Sequence, residues 1–174
     1  MTHVSSESTA WRSRQLRTLL TLGCAVTVLV ADQITKTLAV DHLSRGPVHL
    51  VGPFSFALAY NTGIAFSLGS GLTLPIILVV MVVVVMVFWL SRGVPSVPMS
   101  IALGLILGGA SGNLADRLFR NHGGAVVDFI ATRVWPTFNV ADACIVVGAA
   151  LLGIVYWREG AGSRSMPDSE SGAT

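Results

Sequence analysis

This chain has little charge: Lys, Arg, Asp and Glu together make up only 11% of its 174 residues, and the net charge is +2. No basic cluster interleaved with aromatics occurs, which excludes a nucleic-acid-binding face. There are two cysteines, Cys24 and Cys144, each inside an apolar run. They are expected to be small buried side chains rather than a disulfide or a thiol nucleophile. The four histidines, His3, His42, His49 and His122, are scattered without HExxH or HxH spacing, so no metal site is expected. Residues 72–90 lack any charge at all.

What is abundant is apolar surface. Hydrophobic residues make up 52% of the chain, and the mean hydropathy of +0.71 is not that of a soluble globular domain. A bilayer core of roughly 30 Å takes about 20 apolar helical residues to cross. Four stretches qualify, at about 18–40, 72–90, 99–118 and 138–157. The fold class expected is therefore an all-α membrane protein of four transmembrane helices. Arg12, Arg14 and Arg17 before the first apolar run could open a cleaved signal peptide. That run, however, continues through Asp32 and Lys36 to Val40 with no small-x-small cleavage site, so it reads as a span. Asp32 and Lys36, four apart, can pair on one helix face.

Residues 41–71 are too interrupted to span. Gly46-Pro47 and Gly52-Pro53 are turn signals, residues 48–51 and 54–60 look extended, and Asn61-Thr62-Gly63 suits a turn. This predicts a small extracytoplasmic β-sheet segment on the membrane surface. The expected organisation is a disordered cytoplasmic tail at 1–15, one membrane domain at 16–158, and a second disordered tail at 159–174. Residues 119–137 are expected to form a loop.

In the third span Gly104, Gly108 and Gly112 repeat every four residues. Small residues at this spacing let helix backbones approach in lipid, which is favoured over a role in admitting substrate backbone. Both termini should share one side. Arg12, Arg14, Arg17, Arg92, Arg158 and Arg164 fall there, against Lys36, Arg45, Arg117, Arg120 and Arg133 opposite, where five of the nine acids also lie. With Trp11, Trp89 and Trp157 at the same ends, this predicts cytoplasmic termini.

Three carboxylates, Asp116, Asp128 and Asp142, collect in the stretch 108–143, and a carboxylate near a bilayer needs a reason. The pattern Asn-x-Ala-Asp occurs twice there, at Asn113 to Asp116 and at Asn139 to Asp142. Residues three apart on a helix share a face, so each Asn is expected beside its Asp. One copy closes a span and the other opens the next, so antiparallel spans would bring both copies to one membrane face. Asn139 is placed as an N-cap, and a helix N-terminus favours the charge of Asp142. Asp128, between Val127 and Phe129, should be desolvated and its pKa raised. Two carboxylates in unlike settings suit acid and base work on one water. Asp116, with Arg117 beside it, looks structural. The bland alternative is that these acids only cap helices or pair with Arg117, Arg120 and Arg133.

The residues resemble those of the bacterial lipoprotein signal peptidases, or signal peptidase II. Asp32-Gln33 with Lys36 is similar to that family's DQxxK, and Asn61-Thr62-Gly63-Ile64-Ala65-Phe66 to its NxGxAF. Gly112-Asn113 with Asp116-Arg117 is similar to GNxxDR, Val127-Asp128-Phe129 to VDF, and Phe138-Asn139-Val140-Ala141-Asp142 to FNxAD. The five occur in the family's order, and the connection from 118 to 125 looks longer than usual. The resemblance implies a four-helix aspartic endopeptidase of the bacterial plasma membrane, its site towards the extracytoplasmic face. Such an enzyme removes the signal peptide of a prolipoprotein by cutting before a diacylglyceryl-modified cysteine. It further implies Asp128 and Asp142 as the catalytic pair. Asn61, Gly63, Asn113, Arg117 and Asn139 would bind substrate or orient the pair, with Asp32, Lys36 and Asp116 supporting them. The sheet segment would cradle the substrate. No cofactor or metal is implied, and the partners would be prolipoprotein, membrane lipid and cyclic peptide antibiotics such as globomycin. The chain is expected to act as a monomer. A proton-coupled transporter would want polar residues near mid-bilayer, and a non-enzymatic lipoprotein-binding protein would not need two acids in unlike settings.

Overall fold

The computed structural model describes residues 3–63 and 73–162. Its elements, in order, are helix α1 (His3–Leu43), strands β1 (Val48–His49) and β2 (Phe54–Asn61), helices α2 (Thr73–Ser91) and α3 (Val97–Phe119), strand β3 (Val126–Thr132) and helix α4 (Val140–Gly162). Four helical segments are long and apolar enough to cross a membrane: Trp11–Leu43, Leu74–Ser91, Val97–Phe119 and Val140–Arg158. The chain is a multi-pass membrane protein.

The expected tail at 1–15 is helical from His3 onward. No Gly or Pro interrupts residues 1–22, and extending a nucleated helix fixes one residue per hydrogen bond gained. At the other end α4 continues to Gly162, past the expected boundary at 158; residues 163–174 of the expected second tail lie outside the described residues.

Helix α3 is central because its glycines let two neighbours close in. A Cβ on Gly108 would lie 2.6 Å from the Ala25 carbonyl oxygen, and one on Gly104 would lie 2.7 Å from Cys24 Cβ. Gly112 faces the Asp32 carboxylate in the same way, so α1 and α3 run parallel along this stripe. On another side of α3, Gly109 meets the Ala141 carbonyl, while Gly148 of α4 meets that of Ala102, so α3 and α4 are antiparallel. Backbones this close leave no room for a side chain, which is the packing role expected of the stripe. Helix α2 seals the other flank of α3, with its Val87, and Val94 of the loop that follows, packed among Ala25, Leu103 and Leu107.

The three strands form one antiparallel sheet in the order β1-β2-β3, with Ala59 opposite Asp128 and Asn61 opposite Val126. A bulge between Phe56 and Ala59 shifts the register of β2. The expected sheet lay wholly within 41–71. Instead its third strand comes from the stretch expected to be a loop at 119–137. Phe129 packs with Ala39 and Leu43 at the C-terminal end of α1 and against Phe56, ring centroids 6.2 Å apart, which fixes the sheet on the bundle. The Ile64-Ala65-Phe66 part of the NxGxAF motif lies outside the described residues.

Candidate active site

The site is built outward from a buried cation. Lys36, fully buried, donates to Asp32 Oδ2 at 2.8 Å, Asp116 Oδ2 at 3.0 Å and Asn113 Oδ1 at 2.9 Å. An ammonium has three donors, and all three are used. Asp116 is equally saturated. Its Oδ1 accepts from Gln33 Nε2 and from Arg120 Nε, each at 2.9 Å, and its Oδ2 accepts from the Val127 backbone N–H at 3.0 Å as well as from Lys36. Asp32 Oδ1 accepts from the Ala141 N–H at 3.0 Å. These charges therefore tie α1, α3, β3 and α4 together, and Asp116 has no acceptor position left for a reacting molecule. Removing one member of such a set strands the others without a partner.

The next layer is made of amides. Asn139 caps α4 reciprocally: its Oδ1 accepts from the Asp142 N–H at 2.9 Å, while Asp142 Oδ2 accepts from the Asn139 N–H at 3.2 Å. This capping box holds one oxygen of Asp142 at the positive end of α4. The side-chain amide of Asn139, fully buried, donates to Asp128 Oδ1 at 2.7 Å and to Asn113 Oδ1 at 3.1 Å. Asn113 in turn donates to Asp142 Oδ1 at 2.8 Å. The expected pairing of Asn113 with its own Asp116 is not what forms. Both lie near the C-terminal end of α3, but Asn113 reaches across to α4 while Asp116 is taken up by α1 and β3. The second copy, Asn139 with Asp142, does pair as expected.

Asp128 and Asp142 thus meet across a shared amide. Asp128 is 2% exposed on β3, and its second oxygen accepts from Asn61 Nδ2 of β2 at 3.1 Å. Burial pushes its carboxyl up to about 6, and the negative charge of Asp142 adds to the rise. The Asn61 and Asn139 donors and the Lys36 charge pull the other way. Asp142 is half-buried. The two carboxyls therefore sit in unlike environments, one dry and one on a capped helix end.

Asn61 also closes a small turn, its Oδ1 accepting from the Gly63 N–H at 2.9 Å. The Gly63 carbonyl accepts from Arg117 Nη2 at 2.6 Å, and Arg117 Nη1 donates to the Asn113 carbonyl at 3.2 Å. Arg117 is buried with its Nε unpartnered, and its Nη1 and Nη2 donate to carbonyls rather than to an acid. The ion pair expected of the arginines is made by Arg120 with Asp116.

All ten residues singled out from the sequence thus belong to one bonded network. Two others in it had been given no site role. Gln33 bridges Asp32, the Gly112 carbonyl and Asp116, and Arg120 ties Asp116 to the Gln33 carbonyl and Thr37. Their signals were present in spacing, since Gln33 neighbours Asp32 and Arg120 lies four residues after Asp116.

A family model described as signal peptidase (SPase) II matches residues 24–158. The chain is 47% identical over 152 residues to a lipoprotein signal peptidase of Mycolicibacterium smegmatis, an alignment covering 84% of this chain and 64% of that protein. It therefore spans just under two thirds of that relative's length. A lipoprotein signal peptidase of Mycobacterium avium is 47% identical over 151 residues, covering 83% of each chain. One from Mycobacterium tuberculosis is 46% identical over 147 residues, covering 82% of this chain and 72% of that one. Two solved structures of bacterial membrane enzymes share the fold. One has a TM-score of 0.74 at 23% identity and covers 87% of this chain and 94% of that one. The other has a TM-score of 0.69 at 25% identity and covers 78% and 91%.

Proposed function

This chain belongs to the signal peptidase II family, and on that premise we propose that it is an aspartic endopeptidase acting on prolipoproteins in the bacterial plasma membrane. It removes the signal peptide by cutting before a diacylglyceryl-modified cysteine, with Asp128 and Asp142 as the catalytic pair. The observation that carries this reading is the Asn139 bridge, which binds Asp128 Oδ1 at 2.7 Å and shares a capping box with Asp142.

Two carboxyls joined through one amide are suited to sharing one proton, with a titration that belongs to the pair. Asp128, dry and raised to about 6, is the better proton donor. Asp142, held by the capping box at the end of α4, serves as the base. Asp142 takes a proton from water as the oxygen attacks the scissile carbonyl carbon, and Asp128 gives its proton to the carbonyl oxygen. Collapse of the tetrahedral intermediate breaks the C–N bond, the proton taken by Asp142 passes to the leaving amine, and Asp128 regains the hydroxyl proton as the new carboxyl forms. Asn61, Asn113 and Asn139 hold the pair in place. Arg117, whose Nη2 binds the Gly63 carbonyl next to Asn61, orients the substrate backbone. Asp32, Lys36 and Asp116 are the fixed frame.

The test is incubation of the purified protein with a precursor peptide carrying the diacylglyceryl cysteine and with the same peptide unlipidated, followed by mass spectrometry. Cleavage before the cysteine of the lipidated peptide alone is the expected result. No cleavage of either, or cleavage elsewhere in the peptide, refutes the proposal.

A further inference from the structure

The connection from α3 to β3, whose length stands out in the sequence, has no part in the chemistry above. It turns through three left-handed positions, Asn121 (φ 43°), Gly123 (φ 64°) and Gly124 (φ 79°), and closes with the Ala125 N–H on the His122 carbonyl at 3.2 Å. His122 is exposed, yet its ring lies against that of Tyr60, with centroids 4.6 Å apart and planes 31° from parallel. Tyr60 pairs with Val127 in the sheet and immediately precedes Asn61, whose amide donates to Asp128 Oδ2 at 3.1 Å.

Side chains alternate along a strand, so Tyr60 leaves β2 on the face opposite Asn61. Its ring therefore touches no reacting group, but it bears on the strand end that carries one. The ladder of β2 with β3 stops at Asn61 opposite Val126. Strand ends open more readily than strand centres, and here the end residue is the one that must stay on Asp128. From this geometry we infer that Tyr60 and His122 form a clasp that keeps Asn61 on Asp128, both being positioning residues for the peptidase reaction. The long connection is what brings the imidazole over β2. The inference rests on the peptidase reading above.

The variants are Tyr60→Ala, His122→Ala, Tyr60→Phe and His122→Phe, assayed on the lipidated peptide beside wild type, with amide hydrogen exchange followed on the same preparations. Each alanine variant loses about three- to tenfold in kcat with KM unchanged, the size expected from one aromatic pair acting on the transition state alone. The phenylalanine variants keep two stacked rings and retain wild-type kcat. Exchange accelerates at residues 59–61 and 126–128 in the alanine variants only. Undiminished kcat in His122→Ala, a loss that falls in KM, phenylalanine variants as impaired as alanine ones, or unchanged exchange overturns the clasp. If Tyr60→Ala does not fold, His122→Ala, on an exposed turn, decides the matter. A wild-type chain that leaves the peptide uncut refutes the peptidase reading instead, and exchange still tests the clasp.

Discussion

Asp128→Asn separates what the Asp128 carboxyl does for chemistry from what it costs the fold. The substitution keeps the shape of the side chain and removes its proton transfer, so cleavage of the lipidated peptide should be lost. Its effect on stability depends on pH in a direction that follows from burial. The Asp128 carboxyl is held at about 6, above its ordinary 3.8, so the native state binds this proton more tightly than the unfolded chain does. For a raised acid the stabilising contribution is complete at low pH and is lost as pH rises through the folded value. At about 1.4 kcal/mol per tenfold, the difference between 3.8 and about 6 corresponds to roughly 3 kcal/mol. Asparagine has no such titration. The stability of wild type relative to the variant should therefore fall by most of this amount, roughly 2.5 kcal/mol, between pH 4 and pH 7. Against this, the amide must turn an N–H toward either the Asn61 or the Asn139 donor, a clash that lowers the variant at every pH. The offset shifts the curve but not its slope. Unfolding in detergent micelles, measured for both proteins at several pH values, provides the comparison. A difference that stays flat, or that grows in favour of wild type as pH rises, refutes the account of Asp128 as a dry carboxyl.

Asp142→Asn should abolish cleavage as fully as Asp128→Asn, and the double variant should be no worse, because groups that act as a unit are not additive; residual rates of the three folded variants decide this. Lys36→Met leaves Asp32 buried without its cation and facing Asp116, which keeps only Arg120, and should lower stability by about 3–5 kcal/mol, read as an early detergent melt. Gly108→Leu drives a side chain into the Ala25 carbonyl and should give a protein that melts early or fails to assemble, whereas a stable, active variant removes the packing role of the stripe. For topology, a cysteine at Ser44 should react with an impermeant reagent added outside intact cells, and one at Arg92 should not; the reverse labelling inverts the orientation.

The four spans were legible because hydropathy is a local property and a bilayer sets a sharp length requirement. The Asn139–Asp142 cap was legible for the same reason, since both partners lie within one helical turn. Strand β3 was not. Its seven residues hold a carboxylate at the third position, and its partner strand lies far away in sequence, so nothing local marks Val126–Thr132 as more than a loop. The partners of Asn113 were not legible either. Spacing of three places it on the same face as Asp116 but does not say what stands opposite that face. Here α1 and α4 offer Lys36 and Asp142, and the asparagine goes to them. Arg120 and Gln33 were passed over because their partners lie across a helix interface that sequence order alone does not reveal.

The paired charges on α1 also bear on how the chain enters the membrane during synthesis. An acid or a lysine at the centre of a helix costs roughly 2.5–3.5 kcal/mol to insert and less toward its ends, and α1 carries Asp32 and Lys36 toward the C-terminal end of its span. Because Asp32 and Lys36 stand one turn apart and meet at 2.8 Å, that helix can enter the lipid with its charges already neutralising each other, before any other span exists. Helix α3 arrives equipped in the same way, with Asp116 and Arg120 one turn apart at 2.9 Å. Assembly then becomes an addition of partners, in which Lys36 gains Asp116 and Asn113 while Arg120 gains Gln33 and Thr37. The Ala141 N–H that completes Asp32, and the Asn139 that joins the two acids, come with the final helix. A nascent chain still lacking α4 thus has neither Asp142 nor the Asn139 amide that joins it to Asp128.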